Sequence, residues 1–209
     1  MSWSAVDGQG SDLAGARGSP AAALAAAPAA PRPVAVRGDD GSRLSVGQAL
    51  GAGGDRVADL IDALFRNDTV DVEPLARSTP AGPSTLPVVA VTLRAAVAAS
   101  DRVDRAWLAE VDRRRAECRR AVVDAGREEA LEAALHVTML VATELFDPRD
   151  DGDVNEHVAS GARLWLLAGA VASALSGAEP DPFAGWAALL AAGWWPVGPS
   201  DGRLVVTRP

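Results

Sequence analysis

Two apolar stretches near the end of the chain restrict its fold more than any other feature. Residues Leu164–Leu175 and Phe183–Val197 carry no charged side chain, and the segment between them, Gly177–Pro182, has the composition of a helix end followed by a new start. Helices that are apolar on every side are surrounded by protein or lipid rather than by water. The sequence therefore predicts a C-terminal helical hairpin that lies in the interior.

The length of these stretches favours a protein interior over a membrane. A helix needs about 20 apolar residues to cross a bilayer, whereas these runs are about 12 and 15 residues long, and Arg163 interrupts one flank. A membrane-inserting hairpin is therefore an alternative that the sequence does not favour, and we expect no membrane partner.

Charge and composition exclude several classes of protein. The chain has 20 basic residues, all of them arginine, and 28 acidic residues, which give a net charge of −8. This charge opposes bulk attraction to nucleic acid, so we expect no nucleic-acid partner. The absence of lysine fits codon usage in a GC-rich bacterium, so arginine by itself is weak evidence for an arginine-specific role. Cys118 is the single cysteine, which excludes an intrachain disulfide and is compatible with a cytoplasmic location.

The domain organisation follows from low-complexity sequence at two places. Residues 1–33 are rich in Ala, Gly and Pro and lack the basic start and Leu-rich centre of a secretory signal, so we expect a disordered tail. Residues 34–209 are expected to form a single, mainly helical domain. Within it, residues 67–86 are punctuated by prolines and are predicted to be a linker.

Repeats of three and four residues between apolar positions predict the helices of this domain. A long charged helix begins at the caps Ser100 and Asp101, and the next helix is apolar on nearly all sides and is expected to be central. Residues 86–99 are also predicted to be helical, although their first valines would suit a strand. Together with the terminal hairpin, the predicted helices cover residues 55–66, 86–99, 100–126 and 127–146.

Short apolar runs around glycine-containing turns predict two strand pairs. Residues 34–36 and 44–46 flank one turn, and residues 194–197 and 203–207 flank a five-residue turn. The predicted fold is thus mainly α, a bundle of about five helices with a C-terminal β-hairpin and a short N-terminal strand pair. Whether the two pairs join in one small sheet is left open.

The acidic segment Asp147–Glu156 is the best place in the sequence to look for a cation. Its glycine can be aligned with that of a calcium-binding loop, but the third and twelfth ligand positions are then Arg149 and Val158. These two residues remove the charge and the bidentate carboxylate that such a loop requires. We therefore expect a solvated connector, and we predict no metal and no cofactor.

Two histidines are candidate polar site residues. His136 lies on the predicted central helix, and His157 lies in the first turn of the following one with Glu156 beside it. Histidine can act as a general base near neutral pH, but it needs an oriented partner. The sequence does not identify that partner, so no catalytic role is assigned.

A narrow apolar stripe on the long charged helix suggests a contact surface. A thin stripe of this kind suits a long contact with another helix, of the same chain or of a second copy. Tryptophans supply much of the energy of such contacts, so Trp107 and Val111 on the stripe, with Trp194 and Trp195 near the end of the chain, are the interface candidates. The whole stripe consists of Val103, Trp107, Val111, Cys118 and Val122.

The same helix carries the basic cluster of the chain, Arg113–Arg115 with Arg119 and Arg120. Acidic residues lie at pairing distances from these arginines, as Glu110 does from Arg114. This spacing predicts a solvent-facing surface whose charges pair with one another.

No set of residues in the sequence defines a catalytic centre. We therefore expect a non-enzymatic helical interaction module that binds itself, as a homo-oligomer, or a protein partner. The first alternative is a small-ligand binder or an enzyme with a pocket between the central helix and the C-terminal hairpin. Enzymatic activity consequently stays open at this point.

Overall fold

Helices make up most of the part of the chain that the structure describes. The computed structural model describes residues 1–15, 17–28, 31–66, 86–145 and 162–208. In chain order the elements are β1 (Trp3–Val6), α1 (Pro20–Ala25), β2 (Ala35–Gly38), β3 (Arg43–Ser45), α2 (Val46–Leu50), α3 (Gly54–Arg66), β4 (Val88–Val91), α4 (Leu93–Ser100), α5 (Arg105–Asp124), α6 (Glu128–Leu145), α7 (Ala162–Ser176), α8 (Ala184–Ala191), β5 (Trp195–Ser200) and β6 (Arg203–Thr207).

Helix α7 lies at the centre of the packing. Leu166, Leu167 and Val171 on this helix are completely buried. It packs against α3, α5, α6, α8 and β5, and α8 follows it after a short connection. The apolar C-terminal stretches therefore form an interior helical hairpin, as the sequence predicts, because partners from the same chain cover most of α7.

Helices α5 and α7 form an extensive parallel pair. The guanidinium of Arg115 lies over the ring of Trp165 in the first turn of α7, and Arg127, three residues after the end of α5, donates to the carbonyl of Leu175 in the last turn of α7. These contacts occur in the same order along both helices, which are therefore parallel. Most of the apolar stripe predicted on α5 is buried within the chain, with Val111, Cys118 and Val122 each less than a tenth exposed.

The N-terminal residues do not form the disordered tail that we expected. β1 pairs antiparallel with β2, and α1 packs against α6. Ala23 and Leu24 on α1 are fully buried in the main core. The boundary expected at residue 34, between a disordered tail and the domain, therefore lies between two strands that pair with each other. The composition misled because alanine, although small, is apolar and allows close packing against a neighbouring helix.

The described residues contain eight helices rather than about five, because short capped segments add to the long ones. Ser19 caps α1, and Ser45 with Gln48 forms a capping box at the start of α2. The long charged helix α5 begins after Asp104, whose side chain accepts a hydrogen bond from the Ala106 N–H, and not at Ser100 and Asp101.

The prediction of one helix over residues 86–99 is wrong for its first part. Val88–Val91 form strand β4, which pairs in parallel with β6, and the Thr92 side chain caps α4. β-Branched residues fit a pleated surface, and the C-terminal hairpin provides the strand that β4 needs as a partner. Local sequence could not reveal this pairing, because β6 lies more than a hundred residues further along the chain.

The two strand pairs lie in separate sheets. The N-terminal sheet has the order β1-β2-β3, and the C-terminal sheet has the order β4-β6-β5. β5 and β6 form the predicted antiparallel hairpin, but its turn consists of Asp201 and Gly202 only. Both residues have positive φ values, 50° and 71°, which is the geometry of the tight Asp-Gly hairpin turn.

A single arginine joins the ends of two helices. Nη1 of Arg127 donates to the carbonyl of Leu175 at 2.7 Å, and Nη2 donates to the carbonyls of Leu50 at 3.0 Å and Ala52 at 2.5 Å. Leu50 and Leu175 lie at the C-terminal ends of α2 and α7, where carbonyl groups lack helical partners and a positive charge is favourable. Arg127 therefore fixes the α2–α3 connection against the end of α7.

Three of the sequence predictions fall outside the described residues. They are the linker over residues 67–86, apart from Leu86, the acidic segment with its comparison to a calcium loop, and the candidates Glu156 and His157. Among the helices that are described, none is both long enough and apolar enough to cross a membrane.

Candidate functional site

The interface candidates on α5 contact residues of their own chain. Val111 is buried in the main core, and Trp107 packs edge-on to Trp186 with ring centroids 5.8 Å apart and an interplanar angle of 69°. A Cβ atom at Gly198 would lie 2.8 Å from the Trp107 ring, so β5 also contacts this side chain closely. Trp107 and Val111 therefore belong to the contact between α5 and the rest of the bundle.

The two C-terminal tryptophans differ in exposure. Trp195 is 1% exposed and forms part of the main core. Trp194 is half-buried, and the guanidinium of Arg208 lies 3.9 Å from the centroid of its ring. A cation this close to the face of an indole is attracted to the ring. Both side chains are thus held by contacts inside the chain.

His136 links α6 to the N-terminal segment. Its Nε2 atom lies 2.8 Å from the carbonyl oxygen of Ala27. Because a carbonyl oxygen can only accept, Nε2 carries the hydrogen in this contact. The Ser19 hydroxyl donates a 2.6 Å hydrogen bond to Glu129 of the same helix. The geometry gives His136 a place in the docking of α1 and brings it no described catalytic partner.

The structure reveals one exposed aromatic side chain that the sequence analysis did not single out. Trp165 on α7 is 39% exposed, and among the described residues only Met1 is a further exposed large apolar side chain. The Cζ atom of Arg115 lies 5.4 Å from the centroid of its ring. Asp112 orients this guanidinium, since its Oδ1 accepts hydrogen bonds of 3.2 and 2.6 Å from Arg115. Trp165 belongs to an uncharged run, so no charge pattern indicated which side of the helix faces outward.

We call the surface formed by Trp165, Arg115 and Arg119 the Trp165 face. Arg119 lies one helical turn beyond Arg115 on α5 and is exposed. Within the described part of the chain it forms no ion pair or hydrogen bond with a side chain. The face therefore combines the accessible indole of Trp165, the guanidinium of Arg115 that Asp112 orients, and the guanidinium of Arg119, which pairs with no described side chain.

A concave site lies on the other side of α5, and we call it the α5 groove. It has a volume of about 410 Å³ and runs between α5 and the connection from α7 to α8. Cys118 lies at its base, where burial raises the pKa of the thiol, so the sulfur is protonated and weakly nucleophilic at neutral pH. The groove is lined by Arg113, Arg114, Glu117, Cys118, Ala121, Ser176, Ala178, Glu179, Pro180 and Pro182.

The charged residues along the rim of the groove largely pair with one another. Arg113 donates to both carboxylate oxygens of Glu110 and also contacts Glu117. Arg114 donates from Nε to Glu110 at 2.6 Å. The hydrogen bonds from Arg113 and Arg114 lower the pKa of Glu110 to about 2, so this carboxylate is ionised at any physiological pH. For these residues, the self-paired surface that the sequence predicts is confirmed.

Asp181 fixes the loop that forms the far wall of the groove. Its Oδ1 atom accepts hydrogen bonds from the hydroxyl of Ser173 and from the backbone N–H of Phe183. Its Oδ2 atom forms an ion pair with Arg56 of α3. The loop between α7 and α8 is therefore attached to both α7 and α3.

A second, smaller cavity of about 230 Å³ lies between α3, α6 and the N-terminal sheet. Its lining is mainly apolar, and an ion pair of 3.3 Å between Arg32 and Asp62 lies at its edge. Neither this cavity nor the α5 groove lies between α6 and the C-terminal hairpin, where the ligand-binding alternative placed its pocket. Within the described ranges, no three His, Cys, Asp or Glu side chains are grouped so that they could hold a metal.

In comparisons with known proteins, the chain matched no family model, no curated protein and no solved structure.

Proposed function

We propose that the protein is a non-enzymatic interaction module in which a helical bundle presents the Trp165 face to a protein partner or to a second copy of the chain. The observation that carries this proposal is the 39% exposure of Trp165 on a helix whose other large side chains are mostly buried. An indole exposed to this extent contributes less to the core than a fully buried one. Its burial by a partner would remove apolar surface from water.

The composition of the face supports this role. Tryptophan and arginine are the residues most enriched among those that dominate the energy of protein contacts. Arg115 already lies over the indole and is oriented by Asp112, so little side-chain freedom would be lost on binding. Arg119 adds a donor at the edge of the face, as is usual for the polar rim of an interface.

The net charge of the chain influences which association we expect. Two copies with a charge of −8 repel each other at long range, and salt screens this repulsion. Self-association through the Trp165 face should therefore strengthen as the salt concentration rises. A cytoplasmic location and a protein rather than a nucleic-acid partner remain part of this proposal.

The proposal is tested by replacing Trp165 with alanine. We expect Trp165→Ala to lower the melting temperature only slightly, because much of the side chain is exposed, and to lose association, because the indole is the anchor of the face. Light scattering over a range of protein and salt concentrations measures self-association. Co-purification with partners, compared between the wild type and the variant, measures partner binding.

Trp107→Ala provides the matched control, since it removes a tryptophan of α5 that packs inside the chain. We expect it to cost about 3 kcal/mol or more of stability. If Trp165→Ala unfolds the protein, the residue belongs to the core. If neither association nor partner binding depends on Trp165, the Trp165 face is not the contact surface.

A further inference from the structure

The α5 groove has the size and the lining of a site for a small molecule. Its volume of about 410 Å³ falls in the range of small-ligand pockets, which is roughly 300–1,000 Å³. Cys118, Ala178 and Pro182 give it an apolar lining that is partly or wholly shielded from water. Such a lining can take up an apolar group, while the polar residues of the rim orient the rest of the molecule.

Arg114 supplies unused hydrogen-bond donors on one wall. Its Nε atom is bound to Glu110, which fixes the plane of the guanidinium. The two terminal nitrogens form no hydrogen bond within the described part of the chain. The side chain is 33% exposed, so the guanidinium is partly shielded from water. A planar guanidinium with two free nitrogens is suited to bind a carboxylate with two parallel hydrogen bonds.

Glu179 supplies an unused carboxylate on the opposite wall. It forms neither an ion pair nor a hydrogen bond with any described residue, although it lines the same groove as Arg114. Its position is restrained because Asp181, two residues further on, is tied to Ser173 and to Arg56. The other acidic residue of the lining, Glu117, is already paired with Arg113.

We infer that the α5 groove binds a small zwitterion, a molecule of about dipeptide size that carries one carboxylate and one ammonium group. The carboxylate pairs with the terminal nitrogens of Arg114, the ammonium pairs with Glu179, and an apolar side chain of the ligand covers Cys118 and Pro182. A simple anion would approach the unpaired carboxylate of Glu179, and a simple cation would approach the unpaired donors of Arg114. Only a zwitterion pairs with both the donors of Arg114 and the carboxylate of Glu179.

Calorimetric titration with the dipeptide alanyl-leucine and two blocked forms of it tests this inference. The N-acetylated form lacks the ammonium group, and the C-terminal amide lacks the carboxylate. We expect the free dipeptide to bind and each blocked form to bind about tenfold more weakly, since each loses one charge-assisted hydrogen-bonding contact.

Two variants assign these effects to the walls of the groove. Arg114→Gln should weaken binding of the free dipeptide about tenfold, so that the free dipeptide and its amide bind this variant with equal affinity. Glu179→Gln should also weaken binding of the free dipeptide about tenfold, so that the free and the acetylated dipeptide bind that variant with equal affinity. Arg120→Gln is the control, because Arg120 is an exposed arginine of the same helix that does not line the groove. Thermal melts of all three variants establish that they are folded.

Three results would overturn the inference. They are the absence of binding of the free dipeptide at millimolar concentration, equal binding of the free and blocked forms, and binding that Arg114→Gln and Glu179→Gln leave unchanged. The inference is independent of the proposed interaction surface. Trp165 lies on the other side of α5 from the groove. The Trp165→Ala variant should therefore bind the dipeptide with the affinity of the wild type.

Discussion

The hydroxyl of Ser173 donates a 2.5 Å hydrogen bond to Oδ1 of Asp181. The same oxygen accepts a 2.8 Å hydrogen bond from the backbone of Phe183, at the point where α8 begins. One carboxylate thus satisfies a completely buried hydroxyl and one of the N–H groups that have no partner within their own helix. This contact fixes both the direction of α8 and the loop that forms a wall of the α5 groove.

We expect Asp181→Ala to lower the free energy of unfolding by about 1–3 kcal/mol, because it leaves the Ser173 hydroxyl and the Phe183 N–H without their acceptor. Urea denaturation measures this change. Asp62→Ala is the matched control, since the Asp62 side chain is 63% exposed and, among the described residues, pairs with Arg32 alone at the surface. The control should change stability by less than about 1 kcal/mol. Equal losses of stability in the two variants would show that the hydrogen bonds of Asp181 stabilise the fold no more than an exposed ion pair does.

Gly169→Leu should destabilise the protein severely. A Cβ atom at Gly169 would lie 2.7 Å from Cδ1 of Phe183 and closer still to Cε1, and the Phe183 ring is buried. Overpacking of this kind costs about 1–3 kcal/mol, and occasionally more. Thermal melts compare this variant with Gly18→Ala, whose added methyl group would meet nothing within 4 Å. A melting temperature within about a degree of the wild type would mean that the Phe183 ring can move aside, since 1 kcal/mol shifts the melting temperature by several degrees.

Deletion of residues 1–28 should lower the melting temperature markedly. The deletion removes β1 and α1, and with them the buried side chains of Val6 and Leu24. Leu24→Ala tests the same contact by a single change and should cost about 2–5 kcal/mol. A deletion variant as stable as the wild type would contradict the docking of α1 on α6. It would instead support the dispensable tail that the composition suggests.

The contribution of Glu110 to stability should depend on pH. Its pKa is lowered from 4.5 to about 2 by the hydrogen bonds from Arg113 and Arg114, so the folded state favours the ionised carboxylate more than the unfolded state does. A lowered pKa stabilises the folded protein at pH values above 4.5, and this stabilisation is lost as the pH falls toward 2. Thermal melts of the wild type and of Glu110→Gln should therefore differ at neutral pH and converge near pH 2. A difference that does not change with pH would indicate that the glutamine acts through packing.

The elements that the sequence predicted correctly are those with a strong local pattern. The helices over residues 54–66, 105–124 and 128–145 and the interior hairpin of α7 and α8 all follow from the spacing of apolar residues. Strand β4 was missed because its pairing with β6 is decided far away in the sequence. The N-terminal segment was missed because an alanine-rich helix of six residues becomes stable only through contact with α6.

Candidate functional residues were harder to predict than helices. Trp107, Val111 and Trp195 were identified from their size and position, and the structure places each of them in contacts within the chain. Trp165 has the same chemistry, but exposure depends on which side of α7 the neighbouring helices leave uncovered. Arg114 and Glu179 line opposite walls of one groove because of the path that the loop after α7 takes, and no local sequence pattern encodes that path.

The three carbonyl contacts of Arg127 have a consequence for how the protein opens. The backbone at Leu50, Ala52 and Leu175 is held by one side chain, so the start of α3 and the end of α7 cannot separate from each other without breaking charge-assisted hydrogen bonds. Local unfolding proceeds in cooperative units. Amide protons near the two helix ends should therefore exchange with solvent at a common rate, and in Arg127→Ala they should exchange faster and independently. A ligand or partner that stabilises the loop after α7 would then slow exchange at the beginning of α3 as well.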